Sequence, residues 1–262
     1  MIDIPVKHEH EAGRPLISVV VAVFNGANII QRCIDSVANQ AFPSRELIIM
    51  DSASTDGTVS VLEKNSPDIA YWESKKDRGI AHAWNKALRQ AQGDWIIFLG
   101  ADDRLQDSGV FSDVSEYLRC DPDHDIVYGR IVFEGGTVHG LVLGADCDLR
   151  TMRRRMVIPN PAAFYRRSLF DEIGSFDESF RVAMDYELLL RKKSLSVNFM
   201  DRIVTVMGGE GVSSVLTGKT LLEGRAAQIK NRVDRRIRIE GWHMYYQLRY
   251  QLNRLLAGGI TA

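Results

Sequence analysis

Cysteine is scarce: Cys33, Cys120 and Cys147 are odd in number and lack C-x-x-C spacing. Neither a disulfide framework nor a zinc site follows, and a reducing compartment is the default. Long apolar runs are lacking too. The longest, Leu16 to Phe24 broken by Ser18, is far shorter than the ~20 residues a membrane span requires. The opening Met1-Ile-Asp-Ile-Pro-Val-Lys-His-Glu-His10 has no apolar core of the signal-peptide kind, so a cytoplasmic protein is expected. Net charge is almost absent, with 33 Lys and Arg against 34 Asp and Glu. What remains is an ordinary globular composition, 45% hydrophobic and 26% charged over 262 residues. It excludes intrinsic disorder, collagen and coiled coil, and it suffices for a core that needs no covalent staple.

The balance of charge is uneven. Arg225 to Ala262 holds eight basic and two acidic residues, net +6, and residues 1–224 carry net −7. An acidic body argues against whole-chain nucleic-acid binding, and a basic tail allows contact with something anionic.

Hydrophobic patterning describes alternating strands and helices. Ile17 to Phe24 reads as a strand buried on both faces. After Asn25-Gly26, the apolar residues Ile30, Cys33, Ile34 and Val37 fall at i, i+3, i+4 and i+7, an amphipathic helix. Strands follow at Glu46–Met50, Ile69–Trp72 and Trp95–Leu99, with helical stripes between them, Ile80 to Ala91 among them. This is an α/β domain with a mainly parallel, Rossmann-like sheet covered by helices on both faces. Further on, Asp125–Phe133 reads as strand with a turn at Gly129, residues 134–160 as a long loop, and Met184–Lys193 as a helix. The chain turns helical again past residue 215.

In such sheets ligands sit beyond the carboxyl ends of the strands. The residues there are Phe24-Asn25, Asp51-Ser52 and Asp102-Asp103. Adjacent carboxylates at Asp102-Asp103 need a cationic neighbour, and Mg²⁺ or Mn²⁺ with substrate phosphates is a natural one; a helix cap for the segment near Asp107 is the alternative. Asp51 suits either a hydrogen bond to a base or ribose or a plain turn. Asp185, where a helix starts, suits a general base or an ordinary first-turn acid. Two phosphate signatures fail. Phe24-Asn-Gly-Ala-Asn28 is no G-x-G-x-x-G, and the glycine required upstream of Gly218-Lys219-Thr220 is Ser213.

Taken in order, the blocks Ile17–Asn25, Asp51-Ser-Ala-Ser-Thr-Asp-Gly-Thr58, Asp77-Arg-Gly-Ile80, Ala83–Lys86, Gly93-Asp94, Phe98–Asp103 and Ala183-Met-Asp-Tyr-Glu187 closely resemble family 2 glycosyltransferases of the GT-A fold, from about Pro15 to Ser214. The resemblance implies inverting transfer of a sugar from a nucleotide-diphosphate donor, a UDP-sugar by expectation, with Mn²⁺ or Mg²⁺ as cofactor. It implies base and ribose contacts at Phe24, Asn25, Asp51 and Asp77, and places Arg78, Asn85 and Ala101 beside the donor. Asp102 matches the last Asp of the family's D-x-D motif, with Asp103 sharing metal or sugar contacts, and Asp185 matches the general base. The first Asp of D-x-D is Gly100 here.

The expected organisation is a catalytic domain over 1–215, with a donor half at about 15–120 and an acceptor half at 121–215, then a helical extension over 216–262. The acceptor is expected to be a saccharide or lipid-linked saccharide of bacterial-type surface glycan assembly, and no nucleic acid is involved. In the extension, apolar residues recur at helical spacing from Ile229 to Leu255, with Gly241 expected to interrupt the helix. That basic, aromatic stretch (225–257) suits peripheral contact with the inner face of a membrane, or packing on the domain or on a second copy. Two rival functions share these features, a sugar nucleotidyltransferase and a non-catalytic glycan-binding protein.

Overall fold

The computed structural model describes residues 16–120, 124–135, 138–208 and 218–258. The expected domain boundary at 215/216 and Ser213 lie outside the described residues, as does the start of the chain. In order, the elements are β1 (Ile17–Val23), α1 (Ile30–Ala38), β2 (Arg45–Asp51), α2 (Thr58–Lys64), β3 (Tyr71–Ser74), α3 (Ile80–Leu88), β4 (Trp95–Gly100), β5 (Arg104–Leu105) and α4 (Val110–Cys120). They continue as β6 (Ile126–Glu134), β7 (Val142–Leu143), α5 (Leu149–Met152), β8 (Ala163–Arg166), α6 (Arg167–Ile173), α7 (Met184–Leu190), β9 (Val197–Gly208), α8 (Gly218–Lys230) and α9 (Arg236–Gly258).

One sheet runs β3-β2-β1-β4-β8-β6-β9-β5, with β7 pairing with Ile131 and Val132 of β6, beyond the residues paired with β8. The first four strands are parallel, as their unbroken apolar runs imply; β8 then enters antiparallel beside β4. Alternate strand residues feed two cores. Val19, Val21, Val23, Leu47, Ile49, Ile97 and Leu99 pack with Ile30, Cys33, Ile34 and Val37 of α1 and Phe111 of α4. Val20, Ile48, Met50, Ile96 and Phe98 face the other way, onto Trp84 of α3 and Met184 and Leu188 of α7. Phe98 sits at the centre of that second core, its ring 4.8 Å from Trp84 and 5.1 Å from Phe176.

Three expectations need correction. Gly129 is no turn: β6 runs through it with a register shift against β9. A Cβ there would lie 2.6 Å from the Arg202 carbonyl oxygen, so glycine permits the close strand approach. The 134–160 segment is not one loop, since it holds β7 and α5, with Asp148 capping α5 through the Arg150 N–H at 2.8 Å. Finally, Gly241 does not interrupt the last helix, because α9 runs unbroken from Arg236 to Gly258. The break comes earlier. Val233 N–H donates to the Gln228 carbonyl and Arg232 N–H to that of Ile229, with Arg232 at φ 50. This is a Schellman C-cap with arginine in the position that usually holds glycine, which hid it in the sequence.

Candidate active site

Strand register sets the site. Val23 pairs with Asp51 and Ala22 with Gly100, so β1, β2 and β4 end at one level. Two strand spacings, about 10 Å, separate Asp51 from the turn after Gly100. The loops that follow are braced to one another. Asn25 N–H donates to Ser54 Oγ at 2.7 Å, and Thr55 N–H donates to Asn25 Oδ1 at 3.0 Å. Gly26 N–H donates to Thr58 Oγ1 at 2.9 Å. Asn25 and Ala53 take φ values of 51 and 59, left-handed conformations that side chains disfavour and that this bracing must hold. Phe24 stands out into solvent from the same rim, 64% exposed.

Asp51 is buried. It accepts Ser54 N–H at 3.0 Å, Ser54 Oγ–H at a very short distance, and Ser74 Oγ–H at 2.5 Å from the end of β3. These bonds let a carboxylate stay in the sheet and hold the ends of β2 and β3 together. Asp77 is tied into the same rim by its N–H to Ser52 Oγ at 3.0 Å. Its Oδ1 meets His82 Nδ1 and Lys86 Nζ, each at 2.8 Å, and its buried Oδ2 has no hydrogen-bond partner among the described residues.

Arg78 and Asn85 are tied to the segment that precedes α7. The Arg78 guanidinium is paired with Glu178 at 2.6 Å, and its carbonyl accepts the Arg181 guanidinium. Asn85 exchanges two 2.9 Å hydrogen bonds with the Phe176 backbone. Both side chains fasten the β3–α3 region to the 173–183 segment. Gly79, at φ 131, lies under Arg181, whose Nη1 would clash with any Cβ there.

The turn after β4 resolves the choice between cap and cluster. β5 intervenes before α4, and it is Asp107 that accepts the Gly109 N–H next to that helix. Asp103 instead folds back: it is buried, and its Oδ2 accepts the Gly100 N–H at 2.7 Å. Burial and the neighbouring Asp102 charge push its carboxyl up to about 7, opposed by the N–H groups of Gly100 and Gly208. Asp102 is half-buried against Gly208, where a Cβ would come within 2.5 Å of its Oδ2. A Cβ on Gly100 would lie 2.9 Å from Asp102 Oδ1 and 3.0 Å from Asp103 Oδ2, so glycine there makes room for the two carboxylates. Among the described residues no group of three His, Cys, Asp or Glu side chains gathers to hold an ion. The donor set therefore suits a hard cation held by Asp102 and completed by phosphate and water. Asp103, which spends an oxygen on the Gly100 N–H, shapes the turn.

Asp185 occupies the first turn of α7, half-buried, with Oδ1 accepting the Tyr186 N–H at 2.7 Å. Burial pushes its carboxyl up to about 6. Its charge is felt by Tyr165 on β8, the strand beside β4, and the Tyr165 hydroxyl donates to Asn160 at 2.7 Å. The backbone ahead of Asp185 is gripped from α8. Glu223 Oε2 accepts N–H groups of Arg181, Val182 and Ala183 at 2.9, 2.7 and 3.0 Å. Gln228 adds a 3.0 Å bond to the Tyr186 hydroxyl, and Lys230 pairs with Glu187 at 2.8 Å.

Phe24, Asn25, Asp51, Ala101, Asp102 and Asp103 thus share one strand-end rim, Asp77 adjoins it through Ser52, and Asp185, in the first turn of α7, lies near Tyr165 of β8, the strand beside β4. Ser54 and Lys86 fall inside the family blocks without a role of their own, and Ser74 and Glu223 fall outside them. Ser54 and Ser74 could have been found, since a buried acid at a strand end calls for nearby hydroxyl donors. Glu223 carried no such signal.

The fold and this rim define a GT-A glycosyltransferase, and the chain belongs to glycosyl transferase family 2, whose sequence model matches residues 18–174. As a member of a glycosyltransferase family it transfers sugars rather than nucleotidyl groups, which sets aside the nucleotidyltransferase and non-catalytic readings. It is 28% identical over 216 residues to a PGL/p-HBAD biosynthesis glycosyltransferase of Mycobacterium tuberculosis, covering 80% of this chain and 83% of that one. Its fold is similar to that of S. aureus TarS residues 1–349 in complex with UDP-GlcNAc, with TM-score 0.64, 17% identity and coverage of 87% of this chain and 70% of that one. Against a longer TarS chain it spans 39% of the length. It is also similar to the Pyrobaculum calidifontis mannosyltransferase PcManGT in complex with GDP-Man and Mn²⁺, with TM-score 0.57, 21% identity and coverage of 91% and 65%.

Proposed function

We propose that this glycosyltransferase moves a sugar, with inversion, from a UDP-sugar to a hydroxyl of a saccharide or lipid-linked saccharide in surface-glycan assembly. The observation that carries the reading is the common level of the β1, β2 and β4 ends, which puts Asn25, Asp51 and Asp102 on one rim. Asp51 and Asp77 offer acceptor oxygens to the N–H and O–H groups of a nucleoside, and Phe24 an exposed ring to its base. Asp102 would hold a divalent ion, Mn²⁺ or Mg²⁺, which when bound would offset the charge of the departing diphosphate; the similar fold of PcManGT is in complex with Mn²⁺. Asp185 does the proton work. With its carboxyl at about 6, it is ionised at neutral pH yet basic enough to take the proton of an attacking hydroxyl. A base and a leaving group on opposite sides of the sugar carbon give inversion.

Calorimetric titration of UDP tests the donor site. Wild type binds UDP more tightly with Mn²⁺ than without it, and Asp102→Ala removes that difference. Equal affinity for UDP with and without the ion in the wild-type protein contradicts the assignment.

A further inference from the structure

The last helix presents an apolar stripe that stands exposed among the described residues. At 3.6 residues per turn, Ile237, Met244, Tyr245, Leu248 and Leu252 fall within an arc of about 100° on α9, over a length of about 22 Å. All five are exposed, from 53% at Tyr245 to 80% at Ile237. The opposite face is the one that docks. Ile239 is buried, Glu240 is held by Arg225 at 2.7 Å, and the Trp242 ring lies under the Arg154 guanidinium at 5.2 Å. The stripe is therefore not the helix's packing face turned outward by chance.

Its surroundings are basic. Arg238 and Arg249 flank one side of the stripe, Arg235 and Arg236 precede it, and the exposed Arg153, Arg154 and Arg155 lie beside α8 and α9, with the Arg153 and Arg154 carbonyls bound by Gln228. The two acids of the stretch are already engaged: Asp234 with Arg238 at 2.7 Å, and Glu240 with Arg225. A second copy of this chain would bring a stripe edged by arginine against another, with no acid left to pair them. A surface that is apolar at depth and anionic at its rim matches both features. Among the described residues no helix is long and apolar enough to cross a membrane, so the helix would lie on a bilayer.

We infer that the α9 stripe of Ile237, Met244, Tyr245, Leu248 and Leu252, with its flanking arginines, docks this enzyme on the surface of an anionic lipid bilayer. Because α8 also grips the backbone ahead of Asp185, such docking would hold the active-site rim near membrane-borne acceptors. The docking itself does not depend on which donor or acceptor is used.

The test is co-sedimentation of the full chain with two vesicle preparations, phosphatidylcholine alone and phosphatidylcholine with about one-third phosphatidylglycerol. Wild type is expected to sediment with the anionic vesicles at least tenfold more strongly than with the neutral ones, and added salt to weaken it. Leu248→Asp, at an exposed position, should reduce that binding at least tenfold, and Arg249→Gln several-fold, with UDP binding and thermal unfolding unchanged. Failure to sediment, equal binding to both vesicles, or undiminished binding by Leu248→Asp overturns the inference. So does a solution dimer that Leu248→Asp dissociates, since a second copy would then cover the stripe.

Discussion

Glu223 Oε2 accepts the backbone N–H of Ala183 at 3.0 Å, the residue that caps the helix carrying Asp185. Together with the Arg181 and Val182 bonds, this places one carboxylate under three N–H groups at a helix N-terminus, where negative charge is favoured. α8 thereby supports the segment that leads into Asp185.

Glu223→Ala is expected to lower kcat about tenfold, equivalent to ~1.4 kcal/mol of barrier, while UDP affinity stays within about twofold. Unfolding free energy should fall by about 2 kcal/mol, because charge-assisted bonds are lost. Glu223→Gln, which keeps an acceptor oxygen, should recover part of kcat. Steady-state kinetics with UDP titration separates this from a donor-site defect, in which affinity would fall and kcat hold.

The raised Asp185 carboxyl sets a pH dependence. Transfer should fall on the acid side with an apparent pKa near 6, as the base becomes protonated. The effect on stability has the opposite sense. A carboxyl raised from 3.8 to about 6 contributes stability that is fully present below 3.8 and lost as pH rises through 6. Asp185→Asn should therefore melt several degrees higher than wild type at pH 7.5, on the order of 2 kcal/mol, and show no gain near pH 4. Thermal melts at the two pH values check it.

Restoring the missing acid of D-x-D should not help. The Gly100→Asp Cβ would press on the Asp102 and Asp103 carboxylates at 2.9 and 3.0 Å, and would add a third negative charge to a turn where Asp103 is already pushed up. Lower thermal stability, by about 1–3 kcal/mol, and weaker UDP binding are expected. A variant with tighter Mn²⁺-dependent UDP binding would show that the turn lacks a ligand.

The parallel half of the fold was legible because β1, β2 and β4 are buried on both faces and read as unbroken apolar runs, and because Ile30, Cys33, Ile34 and Val37 keep a strict helical spacing. β3 was placed early, at 69–72 rather than 71–74, because its apolar side chains precede its hydrogen-bonded register with β2. Beyond residue 120 the local signals mislead. Gly129 marks a close approach between strands that are distant in sequence, and Arg232 ends α8 where a glycine would have announced the stop. Gly241 costs an exposed helix turn only about 1 kcal/mol, too little to break a helix docked through Ile239 and Glu240. In the site, the acids were visible from their strand-end positions. Their partners were not. Ser74 reaches Asp51 from the next strand, and Glu223 reaches the Asp185 loop across 40 residues of chain to Ala183, contacts that only the tertiary fold creates.

The most direct test is Asp185→Asn, measured for sugar transfer and for UDP affinity in the same preparation. Turnover should fall at least ~10²-fold, the lower bound of a general base's contribution, with UDP affinity within about twofold of wild type. Near-wild-type turnover would contradict the base assignment, and a parallel collapse of UDP affinity would place Asp185 in the donor site instead.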